Sequence, residues 1–207
     1  AGATAAEIKD YLNLEFSKYE ALYGIKPKET SRESVRLQVI LDTAHQKTGK
    51  QVVVLIDEYD SPLQHSWKTP EHEGCTEVYR SVFSVLKLKG NVLRFVFITG
   101  ITKFTQISLF SVLNHLTNIS FLPQFAPLCG ITEEEMTVNF APELEALADK
   151  MECSIEEAHD KLKTYYDGYH FSDENMTDIY NPFSLLNALS QLRLRNYWIS
   201  SGATSML

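Results

Sequence analysis

The chain has 207 residues, 44% of them hydrophobic, which is enough for one domain with a proper core, or one domain and a small appendage. Its 19 Lys and Arg against 27 Asp and Glu give a formal net charge of −8, which argues against a general affinity for nucleic acid or anionic membrane. Cys75, Cys129 and Cys153 are widely spaced and form no metal or disulfide pattern, and no stretch approaches about 18 apolar residues, so a cytoplasmic protein without a membrane span is expected.

Thr4 and Glu7 form a capping box, and Ile8, Leu12, Phe16, Tyr19 and Leu22 recur at helical spacing. A helix over about 5–23 follows, stopped by Gly24 and Pro27. A second box, Thr30 with Glu33, opens a helix striped by Leu37, Ile40, Leu41 and Ala44 and ended by Gly49. Neither helix carries chemical groups on a pattern, and both stripes read as core.

The stretch QVVVLIDEYD, Gln51 to Asp60, is the most informative in the chain. Val52 to Ile56 are apolar without alternation, which predicts a strand covered on both faces, as in a parallel sheet flanked by helices. Asp57, Glu58 and Asp60 follow at once, and the carboxyl end of such a strand is where open α/β sheets bind ligands. This is the layout of a Walker B strand, in which the first acid holds Mg²⁺ and the second orients or deprotonates the attacking water. The plainer alternative is a strand that simply reaches solvent, since Asp60-Ser61-Pro62 is an ordinary turn signal.

A polar loop with Pro62, Pro70 and Gly74 comes next, then a helix over about 75–89 and a second strand within 92–99. Strand, helix, strand predicts a βαβ unit with parallel strands and a right-handed crossover. Thr99 ends the second strand, at the place of a γ-phosphate or water sensor if the two strands are neighbours. Residues 104–130 are irregular, with Asn114, His115 and Asn118 among apolar groups and a third strand expected around 119–122. Beyond them, Thr132 with Glu135, Ser154 with Glu157, and Asn181-Pro182 each open a helix. No strand is expected in this last third, which reads as a helical lid. The division expected is 1–130 for the core and 131–207 for the lid.

Five stretches, VVVLIDEYDSPL, RFVFITGITKFTQISLFSVLNHLTNIS, YYDGYHFS, IYNPFSLLNAL and NYWISSGATSML, together resemble the bacterial AAA-ATPase-like family. These are P-loop ATPases often followed by a nuclease-like domain of the PD-(D/E)xK type. The resemblance implies an α/β fold with an AAA+-like parallel sheet, flanking helices and a C-terminal helical lid. It implies ATP and Mg²⁺ as ligands, with Asp57 the metal-associated acid, Glu58 the catalytic glutamate and Thr99 the sensor. Lys103 and Asn114 lie in family motifs and are candidates for phosphate or substrate contacts.

One departure is large: no GxxxxGK[ST] phosphate loop occurs in these residues, and Gly49-Lys50 lacks the following Ser or Thr. The chain is therefore expected to be a Walker B, sensor and lid fragment of a larger ATPase, with little nucleotide binding of its own. The alternative is a regulatory or interaction module that has lost hydrolysis. A nuclease metal site at Asp57, Glu58 and Asp60 is disfavoured, because no Glu-x-Lys follows on the neighbouring strand. Loss of the first strand would leave an open sheet edge, so self-association is expected.

Overall fold

A computed structural model describes residues 4–26, 31–100, 112, 114–168 and 178–197. It divides into two compact units, Ala1–Thr117 and Asn118–Leu207.

The first unit begins with helix α1 (Ala5–Tyr23), whose Thr4–Glu7 capping box forms in full and whose chain reverses at Gly24 in the left-handed region, φ 62°. Helix α2 (Glu33–Thr48) ends the same way at Gly49, φ 66°, but its N-cap is Arg32 without a side-chain cap; Thr30 lies outside the described residues. The two helices are joined by a nearly buried ion pair. Arg36 Nε donates to Glu20 Oε1 at 2.8 Å and the guanidinium reaches Glu20 Oε2 at 2.6 Å, with Asn13 and Ser17 of α1 accepting further bonds. Removing one member of such a pair typically costs about 3–5 kcal/mol, because the other charge stays buried. It is the strongest polar tie between α1 and α2.

Strand β1 (Val52–Ile56), helix α3 (Ser61–Ser66), helix α4 (His72–Leu88) and strand β2 (Leu93–Ile98) follow in the described part of the unit. The expected polar loop thus contains a short helix, started by Pro62 at its first turn, where the missing N–H is not needed. β1 and β2 are parallel neighbours, paired Val53 with Phe95, Val54 with Val96, Leu55 with Phe97 and Ile56 with Ile98. Val54, Ile56, Val96 and Ile98 pack with buried Ile8, Leu63, Val78, Phe83 and Leu86, so α1, α3 and α4 line one face of the sheet. Leu41 and Val85 extend that core to Val52 and Val92.

The opposite face differs from the expectation of cover on both sides. Val53, Leu55 and Phe95 are 51%, 69% and 53% exposed. An unbroken apolar run records that a strand avoids polar groups, not whether both layers are present in the same stretch of chain.

In the second unit a 3₁₀ turn at Pro123–Phe125 replaces the strand expected over 119–122. Two short strands also interrupt the region expected to be purely helical. β3 (Ile131–Thr132) pairs antiparallel with β4 (Ile179–Tyr180). A two-residue strand is too short for any sequence period to betray. Around this pair stand helices α5 (Glu133–Asn139), α6 (Ala141–Lys150), α7 (Ile155–Tyr166) and α8 (Pro182–Gln191). The caps at Thr132, Ser154 and Asn181 all form as their sequences predict. Met136, Leu147, Leu162, Tyr180 and Leu185 are fully buried at the centre.

Candidate functional site

The parallel pairing carries Asp57 and Thr99 to the same end of the sheet. The Thr99 hydroxyl donates to Asp57 Oδ1 and accepts the Glu58 backbone N–H at 3.2 Å. That same N–H also reaches Asp57 Oδ1 at 3.0 Å. The ladder continues past the strands, with Thr99 N–H bonded to the Ile56 carbonyl and Tyr59 N–H to the Thr99 carbonyl, both at 2.9 Å. Asp57 and Glu58 are exposed, and Glu58 has φ 47°. The backbone turns there, between a strand that must stop and a helix that must start.

Asp60, third of the carboxylates, does not join the other two. It is only 1% exposed and accepts from Gln64 Nε2 at 2.7 Å, across the first turn of α3. Burial, with the Asp60 charge adding to it, pushes the Tyr59 and Tyr79 hydroxyls well above the usual tyrosine range. The position 64 amide, four residues on, was the available signal that Asp60 is a structural acid.

Gly100 is a further residue that composition and spacing did not single out. A Cβ there would lie 2.5 Å from the Tyr59 ring and 2.6 Å from Asp60 Oδ1. The turn after β2 therefore packs directly against the turn after β1, which keeps Thr99 within reach of Asp57. Asn114 is held elsewhere by a hydrogen bond from Lys87 Nζ at 2.9 Å, at the end of α4. Lys103 lies outside the described residues.

Chemically, the cluster offers two exposed carboxylates side by side, one of them tied to a neighbouring strand through a hydroxyl. No group of three or more His, Cys, Asp or Glu side chains placed to hold a metal occurs among the described residues. That donor set suits Mg²⁺, which takes one or two protein carboxylates and completes its shell with water and phosphate oxygens, better than a metal needing a full protein cage.

The second unit carries its own polar cluster, also missed from sequence. Glu133, the first residue of α5, accepts from Tyr180 Oη at 2.8 Å and contacts His159 Nε2, with Lys163 Nζ 4.0 Å away. Lys163 also faces Asp167 at 3.9 Å. Burial alone would raise the Glu133 carboxyl, but Tyr180, His159 and Lys163 outweigh it and hold it below the usual carboxylate range. Tyr180 and Asp167 come from two of the stretches that carry the family resemblance, and here they tie β4, α5 and α7 together.

The family model described as "Predicted AAA-ATPase" matches residues 1–110. The chain belongs to this AAA-ATPase-like family. The match covers α1 and α2 as well as the Asp57–Thr99 end of the sheet, so the two leading helices are family structure despite carrying no motif. The chain is also 35% identical over 180 residues to the "Uncharacterized protein in vnfD 5'region" of Azotobacter chroococcum mcd 1. The aligned part is 86% of this chain and 32% of that protein, so the chain spans about a third of the length of the curated relative. No solved structure matches. Among the described residues no helix is long and apolar enough to cross a membrane.

Proposed function

We propose that this chain supplies the Walker B and sensor portion of an AAA+-like P-loop ATPase, with the second unit as its helical lid. One observation carries the reading: Thr99 and Asp57 are hydrogen-bonded across the ends of two parallel neighbouring strands, with Glu58 beside them and exposed. A coincidental run of acids at a strand end has no reason to be clamped by a hydroxyl from the next strand. In this reading Asp57 holds Mg²⁺, with one carboxylate oxygen oriented by Thr99 and the Glu58 N–H. Bound Mg·ATP would supply the scissile phosphoanhydride and the charge neutralisation its cleavage requires. Glu58 takes the proton of the attacking water, its backbone fixed by the bond to Thr99. Thr99 acts chiefly by positioning Asp57.

In this reading the phosphate loop is supplied from outside these 207 residues, which contain no GxxxxGK[ST] segment. Without that loop's N–H groups, lysine and Ser/Thr, the two carboxylates would repel a triphosphate. That same observation favours a second reading, a regulatory or interaction module without hydrolysis. The two are separated in a full-length protein that carries the loop. Glu58→Gln should leave ATP binding intact while slowing phosphate release on the order of 10²–10⁴-fold, and Asp57→Ala should weaken the Mg²⁺-dependent part of binding. Hydrolysis unchanged by Glu58→Gln would refute the assignment, and absence of hydrolysis in the parent protein would favour the regulatory module. The open sheet edge is proposed as a self-association surface for this chain taken alone.

A further inference from the structure

The second unit contains a groove of about 770 Å³, in the size range of small-molecule sites. It lies between the end of α6, the outer side of α7 and the segment that follows α8. Three cations line it, Lys150, Lys161 and Arg193, and no acid does among the described residues. This is unusual for a chain whose acids outnumber its bases 27 to 19. None of the three is in an ion pair among the described residues, although the neighbouring Lys163 on α7 finds both Glu133 and Asp167. Lys150, in the last turn of α6, suits the negative end of that helix dipole. Lys161 has no such reason, as it stands in the middle of α7.

Apart from Gln191, the other described lining residues, Met151, Tyr165, Leu192 and Leu194, are apolar or aromatic. Tyr165 stands one turn beyond Lys161 on α7 and is 53% exposed, so its ring forms a wall. Leu192 and Leu194 face it from the segment after α8. That segment is fixed: Leu192 adopts φ 49°, and the Arg193 N–H closes on the Ala188 carbonyl at 3.0 Å. Tyr166 Oη anchors the far side by bonding both the N–H and the carbonyl of Arg195 at 2.8 Å. The segment that supplies Leu192, Arg193 and Leu194 is thus held to both α8 and α7.

We propose that this groove binds a small anionic ligand with a flat apolar body, an acid group meeting Lys161 and Arg193 while a ring lies on Tyr165 and Leu192. Its described lining residues all belong to the second unit, and its test does not depend on hydrolysis. The acid could be a carboxylate or a phosphate.

Anilinonaphthalene sulfonate, an anion on a fused aromatic body, is a suitable probe, followed by its fluorescence on the 207-residue chain. Saturable binding should weaken about tenfold in Lys161→Glu/Arg193→Glu, as expected for two screened charge contacts reversed at exposed positions. Circular dichroism checks that the variant folds, and the singles Lys161→Ala and Arg193→Gln, each expected to weaken binding by less, serve if it does not. Indole acetate displacing the dye assigns a carboxylate ligand, adenosine monophosphate a phosphate one. The dye also reports exposed apolar surface, so Leu55→Thr/Phe95→Thr on the sheet face is the control and should leave the titration unchanged. Affinity within twofold of wild type in the folded charge variants, loss of signal in the sheet-face control instead, or failure of both competitors to displace the dye overturns the proposal.

Discussion

A methyl group at position 100 would overlap the Tyr59 ring and the Asp60 carboxylate, and neither can move easily because both are almost fully buried. Gly100→Ala should therefore destabilise the first unit by about 1–3 kcal/mol, the usual cost of overpacking. Urea unfolding would measure it, and a midpoint equal to wild type would show that the two turns do not meet as described. The same contact explains what was legible at this scale. Asp57, Glu58 and Thr99 could be placed together from the sequence because strand ends in a βαβ unit align. The clamp could not be foreseen, because it depends on a one-residue alignment between positions 42 residues apart and on a glycine that lets the turns close. Asp60 looks equivalent to Asp57 and Glu58 in the sequence and is not, since two residues beyond Glu58 its side chain is buried.

At the scale of elements, the second unit hangs on Glu133. Its carboxyl is held down by Tyr180, His159 and Lys163 against the opposing effect of burial. A folded-state value below the unfolded one means the carboxylate contributes stability at pH above the ordinary glutamate value of about 4.3. That contribution is lost as pH falls through the lower folded value. Glu133→Gln should therefore lower stability at neutral pH and flatten its decline on acidification. Glu7 and Glu135, also held down in their capping boxes by Thr4 and Thr132, would leave part of that decline in place. Thermal melts across the acid range would check this, and parallel curves for the two proteins would contradict it. Helices were the most readable elements because caps are local: α1 begins and ends at the expected residues, as Thr4, Glu7 and Gly24 fix its ends without help from the rest of the fold. β3 and β4 escaped notice because their pairing spans almost 50 residues and neither is long enough to alternate. Gly130, just before β3, hints at it only in retrospect: a Cβ there would lie 2.6 Å from Ile179 Cβ.

At the scale of the whole molecule, the sheet face bearing Val53, Leu55 and Phe95 decides behaviour in solution. Phe95 and Phe97 stack at 6.0 Å with their planes 14° apart, so the face carries a pair of stacked rings beside Val53 and Leu55. Apolar strands with open edges recruit other chains. The 207-residue chain should associate with rising concentration, and Leu55→Lys should shift sedimentation velocity profiles toward the monomer. A wild-type chain that stays monomeric at high concentration would contradict this. Composition and periodicity announced a buried strand here, and chemically the strand is one. They could not say that Val53, Leu55 and Phe95 would be about half exposed or more, because an apolar run reports what a strand avoids and not what covers it.

The left-handed backbone of Glu58 sets stability against the chemistry proposed for that residue. Glutamate pays roughly 1–2 kcal/mol for that conformation, and glycine almost nothing. Glu58→Gly should therefore raise the melting temperature of this chain, by an amount equivalent to about 1 kcal/mol after glycine's larger chain entropy is subtracted. A melt at or below the wild-type temperature would show that the Glu58 side chain earns its place through contacts in the fold. If the melt rises, variants selected for heat resistance alone would drift toward glycine and discard the carboxylate. Thermal selection with and without a demand for nucleotide turnover in the longer protein would then leave opposite residues at position 58.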